Sequence, residues 1–418
     1  MLYPSMIEGE TAPGEGNRRT KRYAAKREAI LDAAAQRFNA RGIRGTSLND
    51  VAGVVGLMTN SITYYYRRKE DLAAACYLRT IAWHDALLAE AARAATPVER
   101  LRAFLRGYFR DLAAIESGGH APQVRLGDLR ALPSPQSETV FFAYNDLFRH
   151  ARGLLFPNAD DGLDRAARSA RTHLVLSVVH TVRVWIDRYE PDDYGRVGER
   201  LADILVLGLA GPRSRWPTAA PVLAAAATLA TPTEPFLRAA TALINEQGYR
   251  GASVEKISGR LSVTKGSFYH HNDNKDDLVA NCFLRTFDII RAEQDAAEAR
   301  GGSGWDRLTG CARALVRHQF SETGPLLRCM AVGAMPDALR GETALTMRRL
   351  WERLAFPVSD GVGDGSVRAV DASVAAQVVS SVIDAASDLD RWVAEADADT
   401  AAELFARPLF LGLYAPAR

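Results

Sequence analysis

The sequence predicts an all-α protein made of two similar halves in tandem, each opening with a helix-turn-helix and continuing as a helical domain. One observation is a long internal repeat. Residues 30–80 recur without a gap at 236–286, and 18 of the 51 aligned positions are identical, among them Asn39, Gly42, Ser47, Ser61, Lys69, Cys76, Arg79 and Thr80. A spacing of 206 residues exceeds the unit of a solenoid and matches a whole domain or subunit. The other two observations are apolar residues at helical spacing and the punctuation of those stretches by glycines and capping residues.

Residues 1–22 read as a flexible tail that ends in a basic arm, Arg18 to Arg22. From 23 to 41, Tyr23, Ile30, Ala34 and Phe38 form one apolar stripe, and Gly42 stops the helix. Ser47 with Asp50 three residues on makes a capping box for a second helix, striped by Leu48, Val51, Ala52 and Val55 and ended by Gly56. Leu57 and Met58 turn the chain into a third helix over Thr59 to Tyr65, and a fourth opens at Lys69. Short helices joined by a tight glycine turn are the helix-turn-helix pattern. The second copy repeats it: a start at Thr231 to Glu234, a stripe of Phe236, Ala240 and Ile244, a stop at Gly248, a Ser253 cap, a turn at Ser262 and Val263, a third helix from Lys265 to His271, and a fourth from Lys275. Between the halves, Pro212 to Thr233 is rich in Pro, Ala and Thr and reads as a linker with a helical tendency over Leu223 to Ala230.

With 418 residues, 47% hydrophobic and 24% charged, the chain can bury two or more cores. No stretch approaches the roughly 18 uncharged apolar residues of a membrane helix, and the N-terminus lacks the pattern of a secretion signal, so a cytoplasmic, non-membrane protein is expected. Cys76, Cys282, Cys311 and Cys329 lack zinc-site spacing and read as buried, reduced thiols. Net charge is only +2 overall, yet residues 17–80 carry 13 Lys or Arg against 5 acids, a balance of +8, whereas 234–286 carry 7 against 6, a balance of +1. A basic module on a neutral body suits phosphate contact. No GxSxG, HExxH, Walker or Gly-rich nucleotide sequence is present, so no enzyme, cofactor, metal or catalytic residue is expected.

The run VTKGSFYHHNDNKDDL, Val263 to Leu278, resembles the recognition-helix signature of the TetR family of bacterial transcriptional regulators, and LMTNSITYYYRRKEDL in the first copy is a more divergent version. The resemblance is strong over 23–80 and 231–286. It implies two helix-turn-helix DNA-binding domains there, helical regulatory domains over 81–211 and 287–418, and a linker at 212–230. It also implies that one chain supplies both halves of what is otherwise a homodimer, with further homodimerisation left open.

By that resemblance Thr59, Asn60, Ser61 and Thr63, and in the second copy Lys265, Gly266, Ser267 and Tyr269, face DNA bases. Tyr65 and Lys69, with His271 and Lys275, face phosphates. The residue types suit the roles: Asn pairs with adenine, Lys donates to guanine, and hydroxyls read either. Thr63 stands where the family commonly has Tyr, and Asn272 where it has a hydrophobic residue. The expected function is a sequence-specific transcriptional regulator, a ligand-responsive repressor on a double-stranded operator with two unlike half-sites. The alternative is an interaction or ligand-binding protein on the same scaffold with weakened DNA binding in the second module. A small-molecule inducer is implied, and His173, His180, Arg183 and Trp185 are the candidate ligand residues, with Arg313, Arg317 and His318 as further polar candidates in the second half. Outside the strong repeat, Val124 with Leu327, Phe156 with Phe356, Trp185 with Trp392 and Gly208 with Gly412 echo one another in order.

Overall fold

A computed structural model describes residues 15–43, 45–126, 132–157, 162–224, 233–263, 274–335 and 337–415. The first half runs through α1 (Glu15–Arg41), α2 (Leu48–Val54), α3 (Thr59–Tyr65), α4 (Lys69–Ala91), α5 (Pro97–Glu116), α6 (Gln136–Leu155), α7 (Arg165–Trp185) and α8 (Tyr194–Leu207). The second runs through α9 (Glu234–Gly251), α10 (Val254–Arg260), α11 (Lys275–Arg300), α12 (Gly304–Gln319), α13 (Asp337–Glu352), α14 (Ala355–Asp364), α15 (Ala372–Ala385) and α16 (Arg407–Leu411). Among the described residues the one β-type pairing is an isolated bridge, Ala210 with Val367. None of the described helices is long and apolar enough to cross a membrane.

Local chemistry sets the helix ends. The Ser47 hydroxyl accepts the Asp50 N–H at 3.1 Å, and the Asp50 carboxylate accepts the Ser47 N–H at 2.7 Å, which closes the capping box expected for α2. Thr96 with Glu99 and Ser303 with Asp306 close the same box on α5 and α12. Aspartates cap the equivalent helices α7 and α15, at Asp164 and Asp371. One expectation fails: α1 starts at Glu15, so the basic run from Arg18 to Arg22 belongs to the helix and is no loose arm. Arg and Lys are strong helix formers, and an apolar stripe marks only the part of a helix that packs.

The halves interlock through equivalent parts. Along α7 from His173 to Thr181 the neighbour on α15 passes from Ala385 back to Ser381: His173 Nε2 meets the Ala385 carbonyl oxygen at 3.0 Å, and the Thr181 hydroxyl donates to the Ser381 hydroxyl at 2.7 Å. This antiparallel crossing is what a twofold axis imposes on equivalent helices. The pattern recurs where the halves end. The Leu209 N–H donates to the Phe410 carbonyl at 2.8 Å, and reciprocally the Leu413 N–H donates to the Leu205 carbonyl at 2.9 Å. Gly208 and Gly412 face each other there at φ +71° and +100°; a Cβ on the first would sit 2.5 Å from the second's backbone nitrogen, so both positions require glycine. Ion pairs Arg188–Glu352 at 2.8 Å and Arg200–Asp371 add charge across the same seam.

The connection after Gly211 is an ordered strap as far as it is described. The Trp305 indole donates to the Arg215 carbonyl at 2.8 Å, Arg313 donates to the Ala219 carbonyl at 2.6 Å, and Trp216 packs on Phe410 with ring centroids 5.3 Å apart. Leu223 and Ala224 are not helical, and the remainder of the expected helical stretch lies outside the described residues. The strap also corrects a ligand expectation: Arg313 and Arg317 bond carbonyls of the strap, and His318 is fully buried, so these three line neither interface cavity described below.

Candidate nucleic-acid interface

In the first helix-turn-helix, Val51, Ala52 and Ile62 bury the inner faces of α2 and α3. Gly56 at φ +64° makes the turn, and the Leu57 N–H closes it onto the Ala52 carbonyl at 3.0 Å. Burying Ile62 turns the opposite side of α3 outward, so Asn60 and Tyr64, four residues apart, form its exposed ridge, flanked by the half-buried Thr59, Ser61, Thr63 and Tyr65. Thr59 donates to the Asn49 side-chain oxygen of α2 at 2.9 Å, and Thr63 donates back to the Asn60 carbonyl at 3.0 Å. The carry-over by family position passed over Tyr64; its spacing from Asn60 was the available signal.

The three consecutive tyrosines have three different surroundings. Tyr64 is 75% exposed, Tyr66 is buried in the core, and Tyr65 lies between them, its ring 4.8 Å from that of Tyr23 on α1. Lys69, first residue of α4, donates to the Thr46 carbonyl at 3.1 Å, which brings its ammonium to the start of α2. An N-terminal helix turn with a lysine beside it is a favourable place for a phosphate.

The second copy reaches its turn by the same geometry. Ser262 occupies the Gly56 position at φ +57°, and the Val263 N–H bonds the Ser258 carbonyl at 3.0 Å, matching Leu57 and Ala52. Lys275 opens α11 as Lys69 opens α4. The positions Lys265, Gly266, Ser267, Tyr269 and His271 lie outside the described residues, as does Asn272.

What the repeat retains is explained by a clamp between each helix-turn-helix and its own body. Asn39 donates to the Gln123 carbonyl at 2.8 Å and accepts the Arg125 N–H at 2.9 Å; Asn245 donates to the Leu326 carbonyl at 2.8 Å and accepts the Arg328 N–H at 3.2 Å. Thr80 accepts the Val124 N–H at 3.1 Å, and Thr286 accepts the Leu327 N–H at 3.0 Å. Arg79 joins Glu28 and Asp32 to the Pro122 carbonyl, while Arg285 joins Glu234 to the Pro325 carbonyl. Several of the identities between copies therefore lock α1 and α4, or α9 and α11, onto one loop. Cys76 and Cys282 donate to the equivalent carbonyls of Leu31 and Leu237, and burial pushes both thiols up to about 12.

The four candidate ligand residues divide between two cavities at the seam. Arg183 and Trp185 line one of 380 Å³. His173 and His180 line a second of 110 Å³, where burial lowers His173 to about 4 and His180 well below its usual value. Among the described residues no cluster of three or more His, Cys, Asp or Glu is placed to hold a metal ion.

Two helix-turn-helix units, each clamped to a helical body and joined through those bodies, define a tandem helix-turn-helix protein. The model of bacterial regulatory proteins of the tetR family matches residues 30–76 and again 236–282. Over 57 residues the chain is 40% identical to the transposon Tn10 TetC protein of Escherichia coli, covering 14% of this chain and 29% of that protein. Over 60 residues it is 35% identical to the biofilm operon icaADBC HTH-type negative transcriptional regulator IcaR of Staphylococcus epidermidis, covering 13% and 32%. The chain thus spans about a third of the length of these curated relatives. Among solved structures it is similar to the TetR family transcriptional regulator PfmR from Thermus thermophilus, with a TM-score of 0.34 and 21% identity over 42% of this chain and 95% of that one. The fatty acid degradation regulator FadR from Bacillus halodurans gives 0.33 and 21% over 42% and 94%. The chain belongs to the TetR family, in a tandem form that carries the family's N-terminal domain twice.

Proposed function

We propose that the chain is a sequence-specific DNA-binding transcriptional regulator, a ligand-responsive repressor that reads an operator of two unlike half-sites as the single-chain counterpart of a homodimer. The observation that carries this reading is a pair of helix-turn-helix units with different recognition residues on one interlocked, approximately twofold body. Thr59, Asn60, Ser61 and Thr63, with Tyr64 added, read bases in one half-site, and Lys265, Gly266, Ser267 and Tyr269 in the other. Tyr65, Lys69, His271 and Lys275 hold phosphates. The +8 balance of residues 17–80 supports phosphate contact by the first module. The negative regulator among the relatives supports the repressor sense, and the cavities at the seam support a small-molecule inducer. The domain limits follow the repeat: 23–80, 81–211, 231–286 and 287–418, with a cytoplasmic place of action.

Native mass spectrometry of operator complexes, with footprinting, tests this. One chain protecting two adjacent half-sites is expected; two chains that each use the same module would overturn it. The +1 balance of residues 234–286 favours a second reading, in which the second module has lost DNA and the scaffold serves another partner. A footprint confined to one half-site would select that reading.

A further inference from the structure

We propose that the larger seam cavity takes an amphipathic organic anion, one per chain, whose anionic group is held by the Trp185 indole N–H and the Gln377 amide N–H. This deepens the ligand-responsive reading and rests on it only for the consequence at DNA.

The cavity is built from both halves. Its volume of 380 Å³ is in the range of small-molecule sites. Phe38 and Ile43 near the end of α1 form part of its wall beneath the first helix-turn-helix; Leu112 and Val184 continue the first half's side, and Met347 and Trp351 of α13 supply the second's. These walls suit an apolar body. The polar atoms among them point to the other end of the ligand. Trp185 is 4% exposed and Gln377 5% exposed, both line the cavity, and neither Trp185 Nε1 nor Gln377 Nε2 has a hydrogen-bond partner. Buried donors without partners cost about 1 to 3 kcal/mol each, so an acceptor that reaches them binds with that gain. Arg188 Nε on the same wall is a further unpartnered donor, and the Arg183 guanidinium adds positive charge. Of the three acids in the lining, Asp384 accepts the Cys329 N–H at 2.8 Å and its thiol at 3.3 Å, Asp187 faces Arg348 at 3.9 Å, and with Glu116 they are outnumbered by Arg125, Arg183, Arg188, Arg340 and Arg348. A donor-rich, apolar-walled cavity selects an anion or carbonyl acceptor on a hydrophobic body over a cation.

The count of one follows from the pseudo-twofold mate. Trp392, echo of Trp185, lines the smaller cavity, but there it stacks on Phe148 with ring centroids 3.7 Å apart, and Arg391 covers Phe141 at 4.5 Å. Aromatic packing leaves 110 Å³, too little for such a ligand. The positions equivalent to Arg183 and Arg188 carry Asp390 and Glu395, and the two arginines of the smaller cavity are engaged, Arg328 with Asp388 and Arg391 over the Phe141 and Trp392 rings. The occupant therefore bears directly on α1 of the first module and not on α9 of the second.

The probe is 8-anilino-1-naphthalenesulfonate, with N-phenyl-1-naphthylamine as its neutral counterpart, titrated by fluorescence into the full chain without DNA. The expected result is one site per chain, with the neutral probe at least about ten-fold weaker. Trp185→Phe and Gln377→Leu should each weaken the anion by about ten-fold and leave the neutral probe unchanged. Ala344→Phe, which fills a half-buried wall position without removing a polar contact, should abolish binding of both probes while the helical spectrum and cooperative melt persist. Two equivalent sites, equal affinity for both probes, or anion binding indifferent to all three variants would overturn the assignment. Because no DNA is used, failure here leaves the operator reading standing, and failure of operator binding leaves this site standing.

Discussion

Replacing Arg285 by Met should damage the second helix-turn-helix far more than Arg79→Met damages the first, although the two arginines are repeat equivalents. The Arg285 side chain is 2% exposed and grips a Glu234 carboxylate that is 14% exposed, with Nη2 to Oε1 at 2.7 Å and Nε to both oxygens at 2.9 Å. Removing it strands a buried carboxylate and frees the Pro325 carbonyl, a loss of about 3 to 5 kcal/mol by the usual cost of breaking a buried pair. Arg79 is 17% exposed, and its partners Asp32 and Glu28 are 36% and 53% exposed. Water can resolvate those carboxylates, so the loss there is on the order of 1 kcal/mol. Hydrogen exchange read separately on α1 with α4 and on α9 with α11 resolves the two modules, which a single melting curve would merge. Adding Glu234→Gln to Arg285→Met should recover a large part of the loss, because the stranded charge is gone. Equal losses at the two sites, or no recovery in the double variant, would refute the burial argument.

Other outcomes follow from the same geometry. Ser262→Gly should stabilise the second module by about 0.5 to 1 kcal/mol, since a non-glycine residue at φ +57° is strained, and Gly56→Ser should destabilise the first by a similar amount; local exchange at α10 and α2 checks both. Lys69→Ala should flatten the plot of log operator affinity against log salt by about 0.9, measured by fluorescence anisotropy, and an unchanged slope would remove Lys69 from the phosphate contacts. Burial holds His84, His173 and His318 near 4 when folded, below their unfolded value of about 6.5. Their neutral forms therefore favour the fold above pH 6.5, and that stability drains as pH falls from 6.5 toward 4, on the order of 1 kcal/mol per pH unit for each. Chemical denaturation at pH 7.5, 6 and 5 should show the decline; a flat profile would contradict it.

The parts legible in the sequence were those written in local chemistry. Ser47 and Asp50 announced α2, Gly56 the turn, and the eighteen identities the duplication, because each depends on neighbours within a few residues or on a second copy to compare. The clamp was not legible: Asn39, Arg79 and Thr80 bond a loop at 122–125 that lies 43 to 84 residues away along the chain, so the identities were visible and their pairing was not. The start of α1 was missed because Arg and Lys form a helix without an apolar stripe. The seam cavities were beyond reach for the same reason as the strap, since Trp185 and Gln377 come to line one cavity only after the halves pack. Nor did every echo survive packing: Phe156 is buried on Tyr414, whereas Phe356 is 67% exposed at the start of α14.

The central claim, that one chain carries two unlike readers, is tested most directly by selecting bound sequences from a random duplex pool with the full chain at moderate salt. The account predicts two adjacent half-sites of different sequence, with a centre-to-centre spacing near one helical turn or a multiple of it. Replacing Thr59, Asn60 and Thr63 by Lys, Gly and Tyr should draw the selected site toward an inverted repeat, each changed base being worth about 1 to 3 kcal/mol. A perfect inverted repeat returned by the unmodified chain would contradict the claim.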